Sequence, residues 1–268
     1  MNFRVRTTEG SFKGAQEVSI FRRAWLPEAT TPRAVIVLAH GMSEHSGRYD
    51  RLGRFLAAGG VAVHALDHRG HGRSGGEMGT VERFSDFLDD LSTFLSIVRT
   101  EHPTGPLVLL GHSMGGLIAT AYVLERQPQP DLFILSGPAI VPILERGERR
   151  IDATRLTRDL KEQQAYLDDP LVLRERVRDE LFVRLAEGVG LLVGRASEIS
   201  QPLLLIHGMD DRLCSADGAE MYVRMSSSKD VTVKLYPEGR HEMLNEINRD
   251  EVMHDIWQWL DARIPAAE

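Results

Sequence analysis

The residues best suited to chemistry stand at Gly111-His112-Ser113-Met114-Gly115. An apolar run, residues 107–110 (LVLL), leads into this G-x-S-x-G, and a helical pattern (LIATA) follows it. Strand, tight turn and helix form the setting in which a serine projects from the edge of a sheet as a nucleophile elbow. Gly111 and Gly115 remove side chains that would collide in such a turn, and the helix N-terminus beside Ser113 favours developing negative charge. A bare G-x-S-x-G also fits a Gly-rich turn without catalysis. The flanking strand and helix favour the chemical reading.

A serine hydroxyl needs a base within hydrogen-bond reach, and the base needs an orienting carboxylate. In this setting the chain order is Ser, acid, His. Three of the ten histidines follow Ser113: His207, His241 and His254. His254 lies inside a helical pattern (EVMHDIWQWL), and His207 ends the run LLLIH ahead of the acids, where it reads as packing the strand end. His241 follows VTVKLY and the turn PEGR, on a loop from which a base reaches Ser113. For the acid, Asp210 and Asp211 both follow LLLIHGM. One is to face the histidine, the other to cap the next helix or pair with Arg212, and pattern alone leaves both open. An oxyanion needs two backbone N–H donors. Met114, after the nucleophile, supplies one, and Met42, in the loop after the run AVIVLA, supplies the other.

These residues need a scaffold. Continuous apolar runs at Ala34–Ala39, Val61–Leu66, 107–110, 132–135 and 203–206 have the signature of strands buried on both faces. Helical patterns at 49–58, 81–100, 117–126, 218–225 and 250–263 separate them. The alternation predicts an α/β fold: a mostly parallel central sheet with helices on both faces. The alternating run 17–25 adds an antiparallel edge strand. Residues 141–200 break the rhythm. Leu173, Val177, Leu181 and Leu185 form one apolar stripe there, and Asp169-Pro170 marks a turn. The expected organisation is a core of residues 1–140 and 201–268, with 141–200 inserted as a short helical cap. Two ordinary packing helices are the competing reading of that insertion.

A net charge of −7 disfavours nucleic acid as a partner. Cys214 is the sole cysteine, so no intrachain disulfide or thiolate cluster forms. Asp67, His68 and His71 are metal-ligand types. Their Gly-rich surroundings read instead as an irregular loop held by side-chain hydrogen bonds, and no metal or cofactor is expected. The start, MNFRVRTTEGSFKG, lacks an apolar leader, and no run approaches the ~18 apolar residues of a membrane span. A cytoplasmic protein is the default expectation, and the oligomeric state stays open.

The segments VLAHGMSEHSGRYDRL, LDHRGHGRSGG, LLGHSMGG, HGMDDRLC and YPEGRHEMLNE together resemble the monoacylglycerol lipase family, which also takes in lysophospholipases and shares its domain with certain serine peptidases. The resemblance implies the α/β-hydrolase fold. It carries the nucleophile onto Ser113, the acid onto Asp211, the base onto His241 and the oxyanion donors onto Met42 and Met114. It further implies a lid bordering an acyl tunnel, and a small lipid ester substrate of one fatty chain on glycerol, cleaved to fatty acid and glycerol without a cofactor. Transient contact with a membrane or micelle would run through the cap. One departure concerns residues 140–156, which are shorter than usual in the family and charged (ILERGERR). A general carboxylesterase or lysophospholipase is the alternative within the class. A peptidase would need an acidic pocket for the substrate amine, and the cap offers no clear one. An inactive binding protein on the same scaffold would be expected to lack a triad residue, and none is lacking.

Overall fold

The computed structural model describes residues 3–28, 30–143, 152–174 and 177–266. The strands are β1 (Val5–Lys13), β2 (Ser19–Pro27), β3 (Ala34–Ala39), β4 (Val61–Leu66), β5 (Leu107–His112), β6 (Leu132–Ser136), β7 (Leu203–Gly208) and β8 (Val231–Tyr236). The helices are α1 (Asp50–Ala58), α2 (Phe84–Glu101), α3 (Met114–Glu125), α4 (Ala153–Leu156), α5 (Leu160–Asp168), α6 (Asp179–Leu192), α7 (Ala216–Arg224) and α8 (Arg249–Asp261). One sheet runs in the order β1-β2-β4-β3-β5-β6-β7-β8. Pairing is antiparallel at β1/β2 and β2/β4 and parallel from β4 to β8.

The apolar runs are strands because both faces are covered. Val35 and Val37 join the core beneath α2, α3 and α6, while Ala34, Ile36 and Leu38 join the core beneath α1 and α8. Successive residues of a strand point to opposite faces, so an uninterrupted apolar run fills two cores at once. After β3 the chain turns one way to β4 and later the other way to β5. The carboxyl ends of β3 and β5 therefore flank a topological switch point, where open α/β sheets place their sites. Both Ser113 and the loop of Met42 emerge there.

Two expectations shift. The run 17–25 is β2, an interior strand, and the edge is β1, which buries little on either face and so shows no apolar pattern. The stripe 173–185 is not one helix. Arg174 adopts a left-handed φ of 45°, and α6 begins only at Asp179. Leu173 and Val177 are buried nonetheless, alongside Leu181, and the Leu173 N–H donates to the Ser43 carbonyl at 2.9 Å.

Between β6 and β7 the chain forms α4, α5 and α6. Asp152 and Asp159 start α4 and α5 by accepting the N–H groups of Thr154 and Lys161. Ala153, Leu156, Tyr166 and Val172 make a small core of their own, whereas α6 packs into the large core with Phe84 against Gly188. Most of the charged run ILERGERR lies outside the described residues. No helix among the described residues is long and apolar enough to cross a membrane.

Candidate active site

The turn after β5 is tight because two glycines make it so. A Cβ on Gly115 would stand 2.1 Å from the Ala39 carbonyl oxygen, and one on Gly111 would stand 2.5 Å from that of Gly115. Ser113 between them holds φ 51° and ψ −119°. Strained backbone of this kind persists where its surroundings over-determine it. The Ser113 N–H donates to the Ser136 carbonyl at 3.1 Å, and its own carbonyl accepts from Leu117 and Ala139 at 3.0 Å each.

Three side chains from distant segments meet at this turn. His241 Nδ1 lies 2.8 Å from Asp211 Oδ2, and His241 Nε2 lies 2.8 Å from Ser113 Oγ. A carboxylate only accepts, so Nδ1 carries the proton and Nε2 accepts from the serine hydroxyl. The other Asp211 oxygen accepts the N–H groups of Leu213 and Cys214 at 2.8 and 3.0 Å. Asp210, which pattern alone could not separate from Asp211, pairs with Arg212 on the surface. His254 is exposed on α8.

Burial alone would raise the Asp211 carboxyl. The facing His241 and the imidazole hydrogen bonds outweigh it and hold the carboxyl well below the carboxylate range. For His241 burial disfavours the cation, yet the Asp211 carboxylate beside it brings its pKa above the ordinary 6.5. His112, packed 4.9 Å from His241, is lowered to about 4 by burial and by that neighbour, so it stays neutral.

The loop after β3 lies against Ser113. A Cβ on Gly41 would stand 3.2 Å from Ser113 Cβ and 2.9 Å from Glu44 Oε1. Met42 is half-buried, and its N–H makes no hydrogen bond among the described residues. Met114 is the first residue of α3, so its N–H has no intrahelical partner.

Glu44 anchors this loop from beneath. Its Oε1 accepts the Gly41 N–H and the Tyr49 hydroxyl, each at 2.6 Å. Arg48 bridges Glu44 at 3.0 Å to Glu242, the residue after His241, at 2.5 and 2.7 Å. It also lies over the Tyr166 ring of α5, 5.0 Å from its centre. Burial opposes ionisation of Glu44, but Arg48, then the nearby imidazoles and Tyr49, bring its pKa from 4.5 to about 2. This network joins the Met42 loop, the His241 loop and the inserted helices, and no local sequence signal announces it. Arg48→Met leaves two buried carboxylates unpaired and should cost about 3–5 kcal/mol of unfolding free energy at neutral pH. Glu44 is depressed in the folded state, so its contribution is present above 4.5 and fades as pH falls towards 2. The deficit of the variant in urea titrations should therefore narrow on acidification.

The loop Asp67–Gly76 is held by side chains: Asp67 accepts from Ser46 and from the Arg73 N–H. Elsewhere His64, Glu101 and His102 are close enough to share an ion, but Arg22 already pairs with Glu101 at 2.6 Å. His207, expected only to pack a strand end, instead places Nε2 2.9 Å from Asp211 Oδ2. The spacing His-x-x-x-Asp across the end of β7 was the available signal.

Fold and site together are those of a serine hydrolase of the α/β-hydrolase class. The family model described as serine aminopeptidase, S33, matches residues 30–248. A monoacylglycerol lipase of Mycolicibacterium smegmatis is 37% identical, over 94% of this chain and 96% of its own. Human monoglyceride lipase is 32% identical, over 92% and 88%. The crystal structure of a soluble variant of the Saccharomyces cerevisiae monoglyceride lipase with a substrate analogue superposes with a TM-score of 0.83, covering 99% of this chain and 97% of its own at 22% identity. The chain belongs to the monoacylglycerol lipase family.

Proposed function

We propose that the chain hydrolyses monoacylglycerols to fatty acid and glycerol, with Ser113 as nucleophile, His241 as base and Asp211 as its orienting carboxylate. The continuous hydrogen-bonded path from Ser113 through His241 to Asp211 carries this reading. His241 takes the serine proton as Oγ attacks the ester carbonyl, and Asp211 stabilises the imidazolium. The N–H groups of Met42 and Met114 hold the oxyanion, where losing one donor typically costs about 3 kcal/mol of barrier. The imidazolium returns its proton to the leaving glycerol oxygen. Water, deprotonated by the same base, then releases the fatty acid.

Residues 141–200 act as the cap over this site. Leu156 and Thr157 bond to the segment after His241, and Leu173 bonds to the loop of Met42, so the insertion touches both loops that frame the serine. Leu160, Val183 and Val193 are exposed along it, apolar side chains available for transient contact with a lipid aggregate.

His241 works as a base only when neutral. Its pKa is raised, so kcat/KM should fall on the acid side with a midpoint above 6.5, the value of an unperturbed imidazole. A pH–rate profile reads this directly, and a midpoint below that value contradicts the assigned pairing with Asp211. The site itself is tested by a fluorophosphonate followed by peptide mapping. Adduct on Ser113 is expected, and a folded protein that forms none would be a hydrolase scaffold without a working nucleophile.

A further inference from the structure

Asp211 Oδ2 serves two imidazoles. His241 Nδ1 approaches it at 2.8 Å and His207 Nε2 at 2.9 Å. His207 ends β7, and its side chain is fully buried. Its Nε2 also faces the Cys214 carbonyl at 3.2 Å. Both neighbours are acceptors, so Nε2 must carry the proton. His207 Nδ1 has no hydrogen-bond partner among the described residues, so the ring makes its hydrogen bonds through Nε2–H.

Such a donor does two things. It holds the carboxylate in the rotamer that turns Oδ2 towards His241, together with the two N–H groups on Oδ1. It also draws on the same oxygen's basicity, which weakens the pull of Asp211 on the His241 proton. Resting on the assignment of Ser113, His241 and Asp211 above, we infer that His207 is a positioning residue that sets the pH at which His241 becomes a free base. The other titratable groups around the pair are His112 against the His241 ring, Glu242 and Glu44 near His241, and the Cys214 thiol beside Asp211. None of them donates to Oδ2. Burial pushes the Cys214 thiol up, so it stays neutral.

Two substitutions separate positioning from packing. Gln places an amide N–H near the position of Nε2, whereas Leu fills the space without a donor. His207→Gln should keep kcat within about threefold and leave the acid limb in place. His207→Leu should lower kcat by roughly tenfold to a hundredfold, the scale of one hydrogen bond to a charged group. KM should change little, and the acid limb should move to higher pH, because Oδ2 now binds the His241 proton more tightly. If the Leu variant fails to fold, His207→Asn replaces it, since its shorter amide cannot reach Oδ2, and the same upward shift is expected.

The limb is measured twice, by monoacylglycerol turnover and by the rate of fluorophosphonate labelling of Ser113. The second needs no ester substrate and so stands even if the substrate assignment fails. An unshifted limb in the donor-less variant overturns the role of His207, as does equal loss in the Gln and Leu variants with no shift in either. Absence of any labelling in folded wild type overturns the site assignment instead.

Discussion

Ser113→Ala should lower kcat for monoacylglycerol hydrolysis by roughly a millionfold, the scale of removing the nucleophile from a serine triad. Stability should stay within about 1 kcal/mol of wild type. The reason is local. Among the described residues the Ser113 side chain makes one hydrogen bond, to His241, and Ala keeps the Cβ on the same backbone. The turn is fixed by Gly111, Gly115 and backbone bonds to Ser136, Leu117 and Ala139, none of which the substitution touches. Residual turnover about a thousandfold above water would still fit, since oxyanion donors and binding act without the nucleophile. Turnover near the wild-type rate with an intact thermal transition would remove Ser113 from the mechanism.

Asp211→Asn should lower kcat about ten-thousandfold, although it changes one oxygen to one nitrogen. The Leu213 and Cys214 N–H groups require an acceptor, so the Asn carbonyl must take the Oδ1 position. Its NH2 then points at His241 Nδ1 and His207 Nε2. Facing a donor, His241 Nδ1 must become an acceptor, and the ring proton moves to Nε2. That nitrogen can no longer accept from Ser113. The loss should appear in kcat, with KM nearly unchanged, because the carboxylate does not reach the substrate. A decrease below tenfold would mean that the tautomer of His241 is set by something other than Asp211.

The sheet was legible because β3 to β7 are filled on both faces and read as unbroken apolar runs. β1 was not, since a strand that buries little leaves no periodic trace. The apolar stripe at Leu173 to Leu185 misled for a related reason. Burial recorded the contact with the core, but Leu173 and Val177, on either side of the left-handed Arg174 and both before the start of α6 at Asp179, reach it outside a helix. Ser113 and His241 sit on local signals, a G-x-S-x-G between strand and helix and a histidine on the loop after a late strand. Asp210 and Asp211 share one turn, and only the converging donors around the second distinguish them. Arg48 meets Glu242 across 194 positions and His207 meets Asp211 through the end of a strand, contacts that exist only once the sheet has formed.

The most direct measurement is the release of glycerol and fatty acid from a series of monoacylglycerols of short to long chain, by wild type beside Ser113→Ala. Equimolar release of both products by wild type, with release by the variant lower by roughly a millionfold, is the predicted result. A folded wild-type protein that labels with a fluorophosphonate yet releases glycerol from no member of the series would contradict the monoacylglycerol assignment.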